Sequence, residues 1–258
     1  MKYFVMDVFT DRLFAGNPAG VCLPQEPLDA GTMQKIAFEN NLAETAFVFK
    51  RDDGYDLRWF TPEVEVDLCG HATLASAYVL MNYVDASMQS VDFHTKSGPL
   101  YVSRHEDIYT MDFPRREPAR CDAPSCLEEA LGQKVLETHL SRDLLVLVES
   151  EEAVREMIPD FQLLKTIEDA FAVIVTAPGK DYDFVSRFFA PNAGVDEDHV
   201  TGSSHSTLIP FWSRRLHKDK MVSAQLSRRG GTLFCQDTGT RVKIGGRAVC
   251  YLAGEIFL

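Results

Sequence analysis

Hydrophobic and polar positions along the 258-residue chain repeat with two different periods. Alternation of period two, which puts successive side chains on opposite faces of a strand, runs through Tyr3–Phe9, Ala46–Lys50, Leu57–Phe60, Leu100–Arg104 and Ile108–Phe113. It returns in Leu144–Glu149, Ala172–Thr176, Phe184–Phe189, Ser223–Ser227, Thr232–Gln236 and Arg241–Ile244. Helical spacing and start signals predict helices over Asp29–Asn40, Ala72–Met81, Glu151–Met157, Pro159–Lys165 and Ser206–Leu216. Ala72–Met81 and most of Ser206–Leu216 are strongly apolar, so each needs cover on several sides. Strand-rich stretches that each hold one such helix predict an α+β chain in which a curved, barrel-like sheet wraps a central helix.

The pattern also repeats on a longer scale. Arg58-Trp59-Phe60-Thr61-Pro62 is followed by Cys69-Gly70-His71-Ala72-Thr73-Leu74. Later, Arg187-Phe188-Phe189-Ala190-Pro191 is followed by Thr201-Gly202-Ser203-Ser204-His205-Ser206-Thr207-Leu208. In both places an apolar stretch of helix length comes next, then a strand-like run and a turn, Lys96-Ser97-Gly98 or Arg229-Gly230-Gly231. Several elements in the same order, displaced by about half the chain, point to internal duplication. The break between the copies falls at Pro114-Arg115-Arg116-Glu117-Pro118, where both patterns stop. Two pseudo-symmetric domains are expected, 1–113 and 119–249, with 250–258 returning to the first through a strand at Glu255–Leu258.

Charge and composition narrow the functional classes. The net charge of -12, with no Lys/Arg run longer than a pair, argues against nucleic acids and anionic membranes. No apolar stretch reaches the roughly 20 residues that span a bilayer, and the N-terminal strand carries Asp7 where a signal peptide needs an unbroken apolar core. A cytoplasmic location is expected, and the six scattered cysteines read as free thiols.

Candidate chemistry gathers at a few positions. Gly70-His71 and Gly202-Ser203 each fall at the start of an apolar helix, where unpaired N–H groups and a glycine admit an anion. Facing one interdomain cleft, the pair would suit a carboxylated substrate. Glu44 sits between apolar neighbours where a helix meets a strand, and partial desolvation there would raise its pKa towards that of a general acid or base. The acidic run Asp196-Glu197-Asp198 precedes the second helix start. His71, His199 and His205 lack a tight ligand spacing, so no metal is expected. Gly16-Asn17-Pro18-Ala19-Gly20 reads as a turn between two strands and carries neither a phosphate-loop nor a dinucleotide pattern. No nucleotide cofactor is expected, and no Gly-x-Ser-x-Gly elbow marks a serine hydrolase.

Together these residues resemble the phenazine-biosynthesis-like protein family, of the diaminopimelate epimerase-like fold. The resemblance covers essentially the whole chain and rests on Asp7-Val8-Phe9, Gly16-Asn17-Pro18-Ala19-Gly20-Val21, Asn41-Leu42-Ala43-Glu44-Thr45, Phe60-Thr61-Pro62 with Cys69-Gly70-His71-Ala72-Thr73, and Glu197-Asp198 through Val200-Thr201-Gly202-Ser203. It implies two similar domains with the active site between them, a homodimer, and proton transfer without metal or organic cofactor. It further implies Glu44 as the catalytic acid/base, with His71, Asp198 and Ser203, beside Gly70 and Gly202, binding substrate. His199 stands where the family usually has proline, and Ser204 where it has a small apolar residue, which affects substrate identity more than reaction class. Amino-acid epimerases of this fold oppose two cysteines across the substrate. The first matches Cys69, but the second position is Ser204, whose hydroxyl is far too weak an acid.

The expected function is therefore a cofactor-independent isomerase acting on a small carboxylated metabolite. The alternatives are a racemase or epimerase of an amino-acid-like substrate, and a non-catalytic small-molecule-binding protein.

Overall fold

Period-two alternation at the N-terminus becomes β1 (Lys2–Val8), which buries Phe4, Met6 and Val8. The computed structural model describes residues 1–258, which divide into a first unit of 1–112 with 245–258 and a second of 113–244.

In the first unit β1 pairs antiparallel with β2 (Asn17–Leu23). Helix α1 (Ala30–Asn40) begins at Asp29, whose carboxylate accepts from Thr32 N at 3.0 Å, and ends at Asn41 in the left-handed region with φ 48°. The turn feeds β3 (Glu44–Arg51), parallel to β2 and antiparallel to β4 (Gly54–Phe60). Short β5 (Glu65–Val66) adds to β4. Helix α2 (Gly70–Val79) runs on into a π-helical turn, Leu80–Val84. Then β6 (Ser90–Thr95) lies parallel to β4, followed by the antiparallel β7 (Gly98–His105) and β8 (Ile108–Pro114). Helix α2 packs on β1, β2 and β3, and its residues from His71 to Ala77 are all buried.

The second unit repeats this succession. It comprises β9 (Ala119–Arg120), α3 (Leu127–Leu131), β10 (Glu137–Leu140), β11 (Leu144–Leu147), α4 (Glu151–Glu156), α5 (Phe161–Leu164), β12 (Val173–Pro178), β13 (Phe184–Ala190), β14 (Val195–Asp198), α6 (His205–Leu216), β15 (Lys220–Gln225), β16 (Gly231–Asp237) and β17 (Arg241–Gly246). Along β10–β11–β12–β13 the pairings are antiparallel, parallel, antiparallel; β13 then takes β14 antiparallel and β15 parallel, and β15 takes β16 antiparallel. That is the order found along β1–β2–β3–β4, β5, β6 and β7.

The duplicated Arg-x-Phe motif has a physical job in both copies. Arg58 of β4 forks onto Glu65 of β5 at 2.7 and 2.9 Å, with its guanidinium 5.3 Å from the Phe60 ring. Arg187 of β13 forks onto Glu197 of β14 at 2.7 and 2.9 Å, 5.0 Å from the Phe189 ring. Each bidentate pair pins a short strand to its neighbour.

Several expectations need correction. The segment read as a turn at Gly16–Gly20 is a turn only at Gly16, where φ is 67° and a Cβ would lie 2.1 Å from the Val8 carbonyl oxygen. Asn17 onward is β2. Pro18 is tolerated because it lies ahead of Ala19, where the ladder to β3 begins. The strands at β6 and β10 escaped the alternation reading. The returning strand is β18 (Ala248–Glu255), paired along β1 with a bulge between Val5 and Met6, rather than Glu255–Leu258. Its outer residues from Tyr251 are exposed, so no alternation marks it. The return to the first unit starts at Gly245, not residue 250.

Helix α6 contains Pro210, which cannot bond the Ser206 carbonyl one turn earlier. That carbonyl instead accepts from Arg116 N at 2.9 Å, so the segment that opens the second unit supplies the donor that proline lacks.

Candidate active site

Glu44 is the first residue of β3, placed opposite Ala19 of β2 by the left-handed turn at Asn41. Because α2 packs on this sheet, His71 in its first turn brings Nε2 to 3.0 Å from Glu44 Oε2. His71 Nδ1 lies 3.4 Å from the Asn17 amide and 3.5 Å from Cys69 Sγ. The His71 side chain is 8% exposed and that of Glu44 20%. Oε2 is among the fully buried atoms, so this exposure belongs to the rest of the Glu44 side chain.

Charge is distributed differently from the sequence expectation, which has burial raising Glu44. Burial does push the Glu44 carboxyl up, but the charge and hydrogen bonding of His71 outweigh it and hold the group below its ordinary 4.5. Burial likewise works against a proton on His71, yet the hydrogen bond to Cys69 and the charge and hydrogen bond of the Glu44 carboxylate lift the imidazole well above its ordinary 6.5. The Cys69 thiol is pushed up, first by burial and then by the Glu44 charge, and stays protonated. Glu44 is thus the ionised carboxylate of the cluster, with His71 favouring its proton and Cys69 a neutral thiol.

Replacing His71 by Asn removes the counter-charge and leaves burial to act alone. The Glu44 carboxyl is expected to titrate below 4.5 in the wild type and above it in the variant. Carbon-13 NMR of glutamate-labelled protein measures this directly; an unchanged titration would disprove the coupling.

Glu44, Cys69 and His71 offer donor atoms within 4.8 Å of one another, a carboxylate, thiol and imidazole set of the kind zinc accepts. The sequence reading weighed His71 only with His199 and His205, because Glu44 comes from a distant element.

In the second unit Gly202 does not open α6. Gly202, Ser203 and Ser204 form a turn before it, with His205 N donating to the Gly202 carbonyl at 3.0 Å. Gly70, by contrast, is the first residue of α2. Asp198 ends β14, accepts from Thr201 Oγ1, and its backbone carbonyl takes a 2.8 Å bond from Gln225 Nε2. Gln225 Oε1 also accepts from Thr201 N at 2.9 Å, so this buried side chain shapes the loop. Nothing along the chain marks Gln225, because its bonds span elements.

Ser203 Oγ lies 3.4 Å from Arg142 Nη2. Ser204 Oγ donates to the Thr201 carbonyl at 2.8 Å. His205 is structural: its Nδ1–H donates to the Thr201 carbonyl at 2.9 Å, Nε2 faces Ser223 Oγ at 3.0 Å, and burial lowers its pKa to about 4.

The registers of the two copies expose an asymmetry. Thr45 pairs with Phe60 and Val173 with Phe189, which puts Ala172 in the place of Glu44. The carboxylate belongs to one copy alone.

Comparison with known proteins follows the same lines. The sequence profile of the family described as "Phenazine biosynthesis-like protein" matches residues 6–254. An uncharacterized isomerase of Pseudomonas aeruginosa is 48% identical over 258 residues, covering 100% of this chain and 99% of its own. An uncharacterized isomerase of Halalkalibacterium halodurans is 43% identical, covering 99% and 98%. The crystal structure of a phenazine biosynthesis protein of the PhzF family from Enterococcus faecalis superposes with a TM-score of 0.98 at 46% identity, covering 100% and 99%. A probable proline racemase from Agrobacterium radiobacter, at TM-score 0.65 and 11% identity over 100% of this chain and 93% of its own, shares the fold alone. No helix is long and apolar enough to cross a membrane. The chain belongs to the phenazine biosynthesis-like protein family, has its diaminopimelate epimerase-like α+β fold, and is an isomerase.

Proposed function

We propose that the protein is a cofactor-independent isomerase that moves a proton within a small carboxylated metabolite, with Glu44 as its acid/base. The observation that carries this reading is the Glu44–His71 pair, 3.0 Å apart, with Ala172 in the matching place of the second copy. Glu44 is ionised in the resting state and so begins as a base. It takes a proton from a substrate carbon, and the C–H electrons pass into the adjoining π system. The same carboxyl then returns the proton to another carbon, and the double bond has moved with no net loss of atoms or charge. His71, as the cation beside Glu44, keeps the carboxylate ionised between turnovers and opposes the negative charge that develops. Gly70 of the first unit, and Gly202, Asp198 and Ser203 of the second, are proposed substrate contacts. A homodimer and a cytoplasmic setting, implied by the resemblance, complete the proposal.

The racemase or epimerase reading draws on the fold shared with the proline racemase. Against it stand the neutral Cys69 thiol and the bonding of Ser204 to the Thr201 carbonyl. Incubating the protein in deuterium oxide with a panel of unsaturated carboxylates tests the proposal. An isomerase product carries deuterium at a new carbon with a shifted double bond. Label confined to one inverted centre would establish the epimerase, and no label in any compound that binds would establish a binding protein.

A further inference from the structure

We propose that Arg116 and Arg142, together with the Ser203 hydroxyl, form a carboxylate-binding site at the first turn of α6. Arg116 is tied to that turn by its backbone N–H, which donates to the Ser206 carbonyl at 2.9 Å. Its side chain is half-buried, and Nη1 is closed to solvent without a hydrogen-bond partner. A charged donor left so is costly, and folded proteins keep few of them without a reason. Arg142 is committed on one edge only. Its Nε and Nη2 fork onto the fully buried Asp143 at 2.8 Å each, while Nη2 also reaches Ser203 Oγ at 3.4 Å. The guanidinium lies 4.8 Å from the Phe171 ring, which fixes its plane.

The charges therefore do not balance. Asp143 accepts the fork of Arg142, while the Arg116 side chain, tethered to the same turn through its backbone, bonds no carboxylate and leaves one positive charge uncompensated. Burial and the neighbouring Arg142 both weaken the hold of Arg116 on its proton, and Asp143 only partly opposes them. A monoanion with two coplanar oxygens fits the remaining charge and the fork of a guanidinium, so the ligand class is a carboxylate rather than a phosphate dianion. Such a ligand meets the exposed edge of Arg116, and rotation of the guanidinium brings Nη1 to it. That this carboxylate is the substrate's own rests on the proposed function; the anion site itself does not.

The test is thermal denaturation of the full chain at constant ionic strength as sodium chloride is exchanged for sodium acetate, or for sodium phosphate. Wild type should show a saturable rise with acetate about 2–4 °C larger than that of Arg116→Met. In chloride alone the variant should melt at or above the wild type, because no buried charge is left unpaired. Arg142→Lys, which keeps the charge beside Asp143 but loses the fork, should respond less than wild type. An equal acetate response in Arg116→Met, or a variant several degrees less stable in chloride, would overturn the site and make Arg116 structural. A larger response to phosphate than to acetate would overturn the ligand class. A positive acetate response without deuterium transfer would refute the isomerase alone, and the converse would refute this site alone.

Discussion

Glu44→Gln lowers kcat/KM on the true substrate by at least ~10²-fold, and up to ~10⁴-fold, the range over which a positioned general base contributes. The side chain keeps its shape and loses the capacity to accept a proton. The fold should be little disturbed. Removing the carboxylate also removes the charge that favours a proton on His71, and burial then works against the imidazolium. The melting temperature should therefore stay close to that of wild type. Cys69→Ala is the contrasting variant. The thiol is neutral and buried, and only a thiolate could act as a base, so most activity should remain. Steady-state kinetics on both variants decide the matter. Activity kept in Glu44→Gln and lost in Cys69→Ala would move the chemistry to the cysteine.

The second large effect concerns stability. Glu197→Ala should destabilise its unit by ~3 kcal/mol, at the lower end of what breaking a buried ion pair costs. It leaves Arg187, whose side chain is 10% exposed, without its bidentate partner. The remaining bonds of Arg187, to the Val154 and Met157 carbonyls at 3.2 and 2.7 Å, hold the cation in place rather than freeing it to solvent. The matching change in the first copy, Glu65→Ala, should cost only ~1 kcal/mol, because Arg58 is 30% exposed and water can replace the carboxylate. Urea unfolding followed by tryptophan fluorescence separates the two. The chain has two tryptophans, Trp59 in the first unit and Trp212 in the second, so Trp→Phe backgrounds report each unit alone. Equal losses in the two copies would show that burial does not set the strength of this pair.

These two experiments draw on different kinds of information. The duplication was legible because both copies keep Arg-x-Phe followed by Pro and a Gly-led apolar helix, and local order survives in one dimension. The α+β class followed from alternation, and the family from motifs in their order along the chain. The apolar neighbours of Glu44 marked it as a candidate acid or base, but its role as the catalytic one came only through the resemblance. Where a strand was exposed on both faces, as in the outer part of β18, no alternation marked it and the boundary was misplaced. The Gly16–Gly20 stretch misled because Gly and Pro usually mark turns, and only the register shows Pro18 ahead of the β3 ladder.

Tertiary structure alone decided the electrostatics. Whether burial or a neighbour governs Glu44 depends on a 3.0 Å contact between residues on a strand and a helix that the sequence does not place together. The sequence supplied the carboxylate and the imidazole; packing of α2 on the sheet decided that they form an ion pair. The same holds for Arg116, an unremarkable linker residue until Pro210 frees the Ser206 carbonyl to which its backbone bonds. Periodicity reports which face of an element is buried, because that is a property of neighbours along the chain. Protonation and unpaired charge depend on distances of a few ångströms between distant segments, and Coulomb energy at that range varies too steeply for any pattern in one dimension to encode it.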